Sequence, residues 1–344
     1  MSALSMETSE PQQFLVRSGL AAQGESSQWT PLTGGVSSEI WRVDLPGRAL
    51  CVKRALAQLK VAAEWKVSTS RNAYEWEWIR FAAKRVPGGA PVPLAHDPVA
   101  GLFAMEFLDP ATHPVWKSQL MAGDIQPATA AEVGALLARL HAASAYHSEL
   151  QERFDTSDNF HALRLEPYLL TTAARHPQVA ATIEAMVRDT AAERIALVHG
   201  DVSPKNILIG PNGPVLLDAE CAWFGDPAFD LAFCLNHLLL KCLARPASRG
   251  ACIASFRRFV STYFGAAMWE PRAGERGLEH RAARLLPVLL LARVDGKSPV
   301  EYIVDDDQRA LVRMAALPLI AEPVRTLAEV AQHWSDLLER HYGH

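Results

Sequence analysis

The stretch that decides the fold runs from residue 197 to residue 218: LVHGDVSPKNILIGPNGPVLLD. Two short apolar runs, Asn206-Ile207-Leu208-Ile209 and Val215-Leu216-Leu217-Asp218, flank Gly210-Pro211-Asn212-Gly213-Pro214. An Asn-Gly step between two such runs signals a hairpin. Folding about Asn212 leaves Asn206 and Asp218 six residues away on either side. They then face each other at the open end, with Cβ atoms about 5 Å apart if paired. A register slipped by one stays open, because the loop need not be symmetric. An amide oxygen beside a carboxylate is a hard-oxygen site suited to Mg2+, which keeps several waters and takes few protein ligands.

Asp201 lies five residues before Asn206, in a loop that Pro204 keeps from being helical. Its carboxylate is placed to accept a proton from a substrate hydroxyl rather than to ligate the metal. The order Asp201, Asn206, Asp218 reproduces the phosphoryl-transfer spacing D-x-x-x-x-N followed by a metal-binding Asp at a strand end. Any one of these residues alone reads as a turn or cap residue. The hairpin and the start His199-Gly200-Asp201 give the set its specificity.

Outward from this segment, the chain changes character near residue 106. Before it come short β-type runs at 29–32, 39–45 and 49–54, the last two bracketing a Pro46-Gly47 turn. A helical stretch at 71–84, a Pro/Gly loop and a strand at 102–107 follow. After residue 108, helical spacing predicts helices at 130–145, 163–174, 179–192, 229–243, 253–264, 279–294, 306–317 and 323–341. The expected fold class is α+β and two-lobed. A small antiparallel-sheet lobe spans 1–107, and a larger, mainly helical lobe spans 108–344.

The run resembles the aminoglycoside phosphotransferase and choline kinase-like superfamily. Its signature H-G-D-x-x-x-x-N followed by D-x-E matches His199-Gly200-Asp201, Asn206 and Asp218-Ala219-Glu220, and its G-D-P-x-x-D-L-A matches residues 225–232. The resemblance implies a protein kinase-like fold and an ATP- and Mg2+-dependent kinase acting on a small-molecule hydroxyl. Asp201 would be the catalytic base, and Asn206 and Asp218 the metal ligands. Glu220 would support a metal-bound water. Asp230 would tie the catalytic loop from below, and His199 would pack within it.

On the nucleotide side, Thr33-Gly34-Gly35-Val36-Ser37-Ser38 is a glycine-rich segment with added hydroxyl donors, and Gly34, Gly35, Ser37 and Ser38 are nucleotide-binding candidates. No G-K-[ST] follows, so it is not a Walker A loop. The next strand ends in Lys53, the candidate grip on the α- and β-phosphates. Such a lysine needs a carboxylate from the following helix. Apolar residues recur after Glu75 at helical spacing, so Glu75 is chosen, with Glu77 as the alternative and Glu64 as an outsider. The resemblance places a hinge at Glu106, Phe107 and Leu108, where backbone groups would read adenine.

The acceptor side is less legible. Ser203, Glu220, Trp223, Asp226 and Arg293 are candidates, and Ser203 is also counted among the nucleotide-binding residues. Trp223 reads equally as a cation–π surface or as a core aromatic. Arg293 and Lys297 would contact an anionic acceptor or form structural pairs.

Composition limits the alternatives. The 344 residues are 49% hydrophobic and 21% charged, with a net charge of −4. This gives no global basic excess for nucleic acid or an anionic membrane. Neither of the longest apolar stretches reaches the roughly 20 residues of a membrane span. The first fourteen residues carry no secretory pattern. Five scattered cysteines read as free thiols in a reducing compartment. The expectation is a cytoplasmic monomer or homodimer. A protein kinase would need H-R-D and a long activation segment, and here the Gly-Asp-Pro turn follows only eight residues after Asp218. A nucleotide-binding pseudokinase without turnover is the alternative of another class, and GTP in place of ATP stays open.

Overall fold

A computed structural model describes residues 10–32, 38–55, 71–274 and 276–343. The chain divides into two compact units, 1–112 and 113–344.

The first unit is built on a five-stranded antiparallel sheet. Its strands are β1 (Gln28–Pro31), β2 (Ser38–Leu45), β3 (Arg48–Ala55), β4 (Pro93–Asp97) and β5 (Leu102–Glu106), in the order β1-β2-β3-β5-β4. Pro46-Gly47 turns β2 into β3, with Gly47 at φ 77°. Two helices, α1 (Glu10–Arg17) and α2 (Arg71–Arg85), complete the unit. Alternation along β3 sorts its side chains between the two faces of the sheet. Leu50 and Val52 join Phe14 and Leu15 of α1 in one apolar cluster with Val43, Leu45, Leu102 and Ala104. Cys51 and Lys53 point the other way. Trp76 of α2 packs there on Phe103 and His96, at 5.9 and 5.2 Å between ring centres. The sequence pattern missed α1 and β4. The first lies in a polar segment, and the second follows a Pro/Gly loop with little strand composition.

The second unit is mainly helical. Its first helices are α3 (Trp116–Ala122), α4 (Pro127–Ser144), α5 (Ser148–Arg153) and α6 (Ser157–Phe160). A π-helix over His161–Leu170 follows, then α7 (Thr171–Arg175) and α8 (Ala180–Ala192). After them come two small antiparallel pairs. Strand β6 (Ala196–Val198) pairs with β9 (Trp223–Gly225), and β7 (Ile207–Gly210) pairs with β8 (Gly213–Leu216). The chain ends with α9 (Ala228–Ala244), α10 (Arg249–Ala266), α11 (Leu278–Asp295), α12 (Asp306–Ala321) and α13 (Leu327–Tyr342).

Every residue of α9 from Ala228 to Leu243 is buried, so this helix is the axis of the unit. The π-helix replaces the α-helix expected at 163–174. Pro167 has no N–H to give to an i−4 carbonyl, and Thr171 N–H reaches back five residues to Glu166 O. No described helix is long and apolar enough to cross a membrane. All five cysteines are free and buried.

The hairpin is shifted by one from the register centred on Asn212. Ile207 pairs with Leu216, and Gly210 with Gly213. Asn206 therefore faces Leu217, whose N–H it accepts at 2.9 Å, and Asp218 lies one residue beyond. A two-residue loop, Pro211-Asn212, is shorter than the five-residue one assumed from composition, so the centre of the hairpin moves half a residue.

Helices α4 and α10 pack at Gly134, where an added Cβ would sit 2.6 Å from the backbone oxygen of Phe259. Gly134→Ala is expected to destabilise the protein by about 1–3 kcal/mol through overpacking. Gly265→Ala, in α10 with open space around it, is expected to cost nothing and to gain up to about 1 kcal/mol. Paired chemical-denaturation curves check the contrast.

Candidate active site

The site residues of the second unit sit on the loop between β6 and β7 and on the segment that follows β8. Asp230, in the first turn of α9 and fully buried, holds that loop. One of its carboxylate oxygens accepts the N–H of His199 and the other accepts that of Gly200, both at 2.8 Å. His141 Nε2 lies 3.2 Å from the same carboxylate, and its Nδ1 lies 2.8 Å from the Tyr263 hydroxyl. A carboxylate with two backbone donors is a charge-assisted clamp.

The clamp works because residue 200 is glycine. Its φ is +78°, and a Cβ there would lie 2.6 Å from Cys221 O. His199 is spent structurally. Its Nδ1 accepts the Asp201 N–H at 3.2 Å, and its Nε2 donates to Leu217 O at 3.1 Å. Burial holds the ring below its ordinary pKa, against the pull of Asp230, so it is neutral near pH 7.

Asp201 is buried between two cations. Arg164 Nη2 lies 3.0 Å from its carboxylate, and Lys205 Nζ lies 3.2 Å from it. Burial alone would raise its pKa, but Lys205 and Arg164 outweigh burial and hold the carboxyl below its usual value. Its backbone oxygen accepts the Ser203 N–H at 2.8 Å and the Asn206 side-chain amide at 3.1 Å. The second bond commits the Asn206 nitrogen and leaves its Oδ1 as the end that can ligate. Asp218 adopts φ +67°, a left-handed conformation uncommon outside glycine, at the point where the chain leaves β8.

Among the described residues no group of three or more His, Cys, Asp or Glu is arranged to hold a metal. Asn206 and Asp218 offer an amide oxygen and a carboxylate. That two-residue set of hard donors fits Mg2+ and not zinc.

Arg164 was not singled out from the sequence. It sits on the π-helix, donates to Gly200 O, and reaches Asp201. A lone arginine in an apolar helical run carries no local sign of this role. Only the fold brings it to the loop.

Among the acceptor candidates, Ser203 and Arg293 line one cavity with Asp201. Trp223, Asp226 and Glu220 do not line it. Trp223 is fully buried, stacked on Phe160 at 4.3 Å, with the Arg194 guanidinium 5.2 Å from its ring centre and its Nε1 on Ser157. Both readings of Trp223 meet here: it is a core aromatic, and its cation is internal. Asp226 is committed to Arg281 at 3.0 Å and caps the Ala228 N–H. The backbone oxygen of Glu220 accepts from Asn159 at 3.0 Å.

In the first unit, the buried Lys53 lies 2.8 Å from both oxygens of Glu75. Glu77, partly exposed, pairs instead with Arg80 at 3.0 Å. Gly34, Gly35, Ser37 and Glu64 lie outside the described residues. Ser38 is buried opposite Ala55. At the hinge, the Glu106 N–H is committed to Val92 O at 2.9 Å, and the Phe107 ring lies 4.7 Å from the Arg42 guanidinium. Leu108 is half-buried.

Three comparisons bear on this arrangement. A model of the phosphotransferase enzyme family matches residues 28–249. A methylthioribose kinase from Pectobacterium carotovorum subsp. carotovorum (strain PC1) is 26% identical over 221 residues, covering 57% of this chain and 55% of that protein. The chain thus spans just over half the length of that curated relative. Two solved structures share the fold. A Plasmodium vivax ethanolamine kinase has a TM-score of 0.52 at 11% identity, covering 99% of this chain and 89% of that one. An amicoumacin kinase in complex with AMP-PNP, Ca2+ and Ami has a TM-score of 0.51 at 16% identity, with 99% and 96% covered. The architecture is that of the protein kinase-like small-molecule kinases.

Two buried charge systems make separate predictions. Lys53→Met removes the ammonium 2.8 Å from the buried Glu75 carboxylate and should cost about 3–5 kcal/mol. Adding Glu75→Leu should recover part of that loss, and the non-additivity is read from denaturation of both single variants and the double. Asp230→Asn keeps the shape but offers one acceptor oxygen to two N–H groups. A loss of about 1–3 kcal/mol is expected, with faster hydrogen exchange at His199 and Gly200.

Proposed function

The chain belongs to the phosphotransferase enzyme family, and on that premise we propose that it transfers the γ-phosphoryl group of ATP to a hydroxyl of a small molecule. The observation that carries this reading is Asp201. It is a buried carboxylate kept ionised between Arg164 and Lys205, five residues ahead of Asn206 and on a loop pinned by Asp230. A base that meets an alcohol must be ionised and fixed within hydrogen-bond reach of the proton it takes. The relatives and the structures with a like fold are kinases of small molecules by name, and one of them holds a nucleotide analogue.

In this reading Asp201 accepts the acceptor's hydroxyl proton. The hydroxyl oxygen forms a bond to the γ-phosphorus as the bond from that phosphorus to the bridging β–γ oxygen breaks, and ADP leaves with that electron pair. Lys205 and Arg164 offset the negative charge gathered around Asp201. Asn206 and Asp218 would hold Mg2+, which would supply charge neutralisation on the phosphate oxygens. Lys53, oriented by Glu75, would hold the α- and β-phosphates. Gly34, Gly35, Ser37 and Ser38 would line the phosphate path, and Glu106, Phe107 and Leu108 the adenine. The acceptor classes in view are aminoglycosides, amino alcohols and sugar-like alcohols. The place of action is the cytoplasm, where ATP is abundant.

A coupled ADP-release assay over a panel of small alcohols tests the proposal. Asp201→Asn should lower kcat by about 10²–10⁴-fold while Mg-ATP still binds. Asp218→Ala should weaken Mg-ATP binding itself. If Asp201→Asn kept the wild-type kcat, the base assignment would fail. If wild-type protein bound Mg-ATP but phosphorylated nothing, the chain would be a nucleotide-binding pseudokinase.

A further inference from the structure

The cavity that Asp201 lines has a volume of about 180 Å³. That is room for on the order of six water molecules at about 30 Å³ each. Its wall on α9 is the face made by Phe233, His237 and Lys241, spaced four residues apart. Arg293 from α11 and Lys117 from α3 also line it.

The charges in this wall do not cancel. Lys117 is paired with Glu301, and Lys205 with Asp201. Among the described residues, those are the two carboxylates lining the cavity. Among the described residues, Lys241 and Arg293 have no carboxylate partner. Lys241 is 1% exposed, and its ammonium lies 3.3 Å from the centre of the Tyr302 ring. Arg293 Nη1 donates to Tyr168 and to Ser298 O, and its Nε is buried without a partner.

Two neutral groups in the same wall are also unsatisfied. Ser203 Oγ, on a residue 1% exposed, has no hydrogen-bond partner. His237, 7% exposed, has none at Nε2, while its Nδ1 lies 3.4 Å from the Tyr302 hydroxyl. A buried, uncompensated cation beside unfilled polar atoms is costly unless a ligand fills the space.

We propose that this cavity binds an oxyanion, a carboxylate or a phosphate, carried by the hydroxyl compound that Asp201 deprotonates. The inference rests on the phosphotransfer reading and names the acceptor class within it. Lys241 and Arg293 supply the charge, and Ser203 and His237 supply the neighbouring hydrogen-bonding atoms. A cationic acceptor meets the wrong sign in this wall, and a bulky one exceeds its volume.

Burial first, then Lys117 and least of all Arg293, outweigh the opposing pull of Glu301 and Cys252 and bring the Lys241 ammonium down to about 7. An anion reverses the balance that depresses it. Affinity for an oxyanion should therefore fall as pH rises from about 6 to 8.5 and Lys241 loses its proton.

The test is calorimetry on the full chain, without nucleotide, using glycerol, glycerate and glycerol phosphate as probes. Glycerate or glycerol phosphate should bind at least about tenfold more tightly than glycerol, and the better of the two identifies carboxylate or phosphate. Lys241→Met and Arg293→Gln should each erase most of that preference. Lys117→Gln, at a more exposed position, should reduce it if Lys241→Met fails to fold. Equal binding of all three probes, or an oxyanion affinity unmoved by the folded variants, overturns the proposal. Oxyanion binding with no turnover of any alcohol overturns phosphotransfer alone. Turnover of neutral alcohols with no oxyanion binding overturns this inference alone.

Discussion

The arrangement depends first on one buried carboxylate. Asp230 takes the N–H groups of two consecutive residues, His199 and Gly200, from inside the core of the second unit. That pair of bonds fixes where the loop begins and holds Gly200 in a left-handed turn pressed against Cys221. Asp201 then has a single place to go. Its N–H meets the His199 ring, and its carbonyl collects Ser203 and the Asn206 side chain. The orientation of a candidate metal ligand is thus inherited, bond by bond, from a fully buried residue. His141 and Tyr263 carry the support further, into α4 and α10.

The second theme is buried charge. Apolar burial explains most of both units, and it would expel every ion it could. The ions that remain are organised. Lys53 and Glu75 neutralise each other inside the first unit. Asp201 is kept ionised because Lys205 and Arg164 together outweigh its burial. The cavity next to Asp201 departs from this pattern, with two cations and no carboxylate left for them. Beside the answered charges of Lys53–Glu75 and of Asp201 with Lys205 and Arg164, an unanswered pair marks a place shaped for something that arrives from outside.

The π-helix links these two themes. Pro167 interrupts an apolar helical run, and the wider turn that results carries Arg164, which reaches both Gly200 O and Asp201. Its ring-facing partners are Tyr168 and Phe233, 5.7 and 5.6 Å away. Tyr168 and Phe233 also line the cavity. The same few side chains hold the loop and shape the space beside it.

The sequence alone determined the loop. The spacing of Asp201, Asn206 and Asp218, the glycine at 200 and the Asn-Gly turn are local facts, because backbone geometry and short hydrogen bonds act over a few residues. Alternation along β3 likewise put Lys53 and Cys51 on one face of the strand, and helical spacing favoured Glu75 over Glu77. Tertiary structure decided the rest. The exact register of the hairpin depended on how many residues its turn used, which composition could not count. Trp223 went to the core because Phe160 and Arg194, both distant in sequence, cover it. Arg164 and Lys241 could not be found by pattern, since each is a single cation in a mainly apolar run. What gives such a charge its meaning is the set of neighbours that folding brings to it, and those come from other helices.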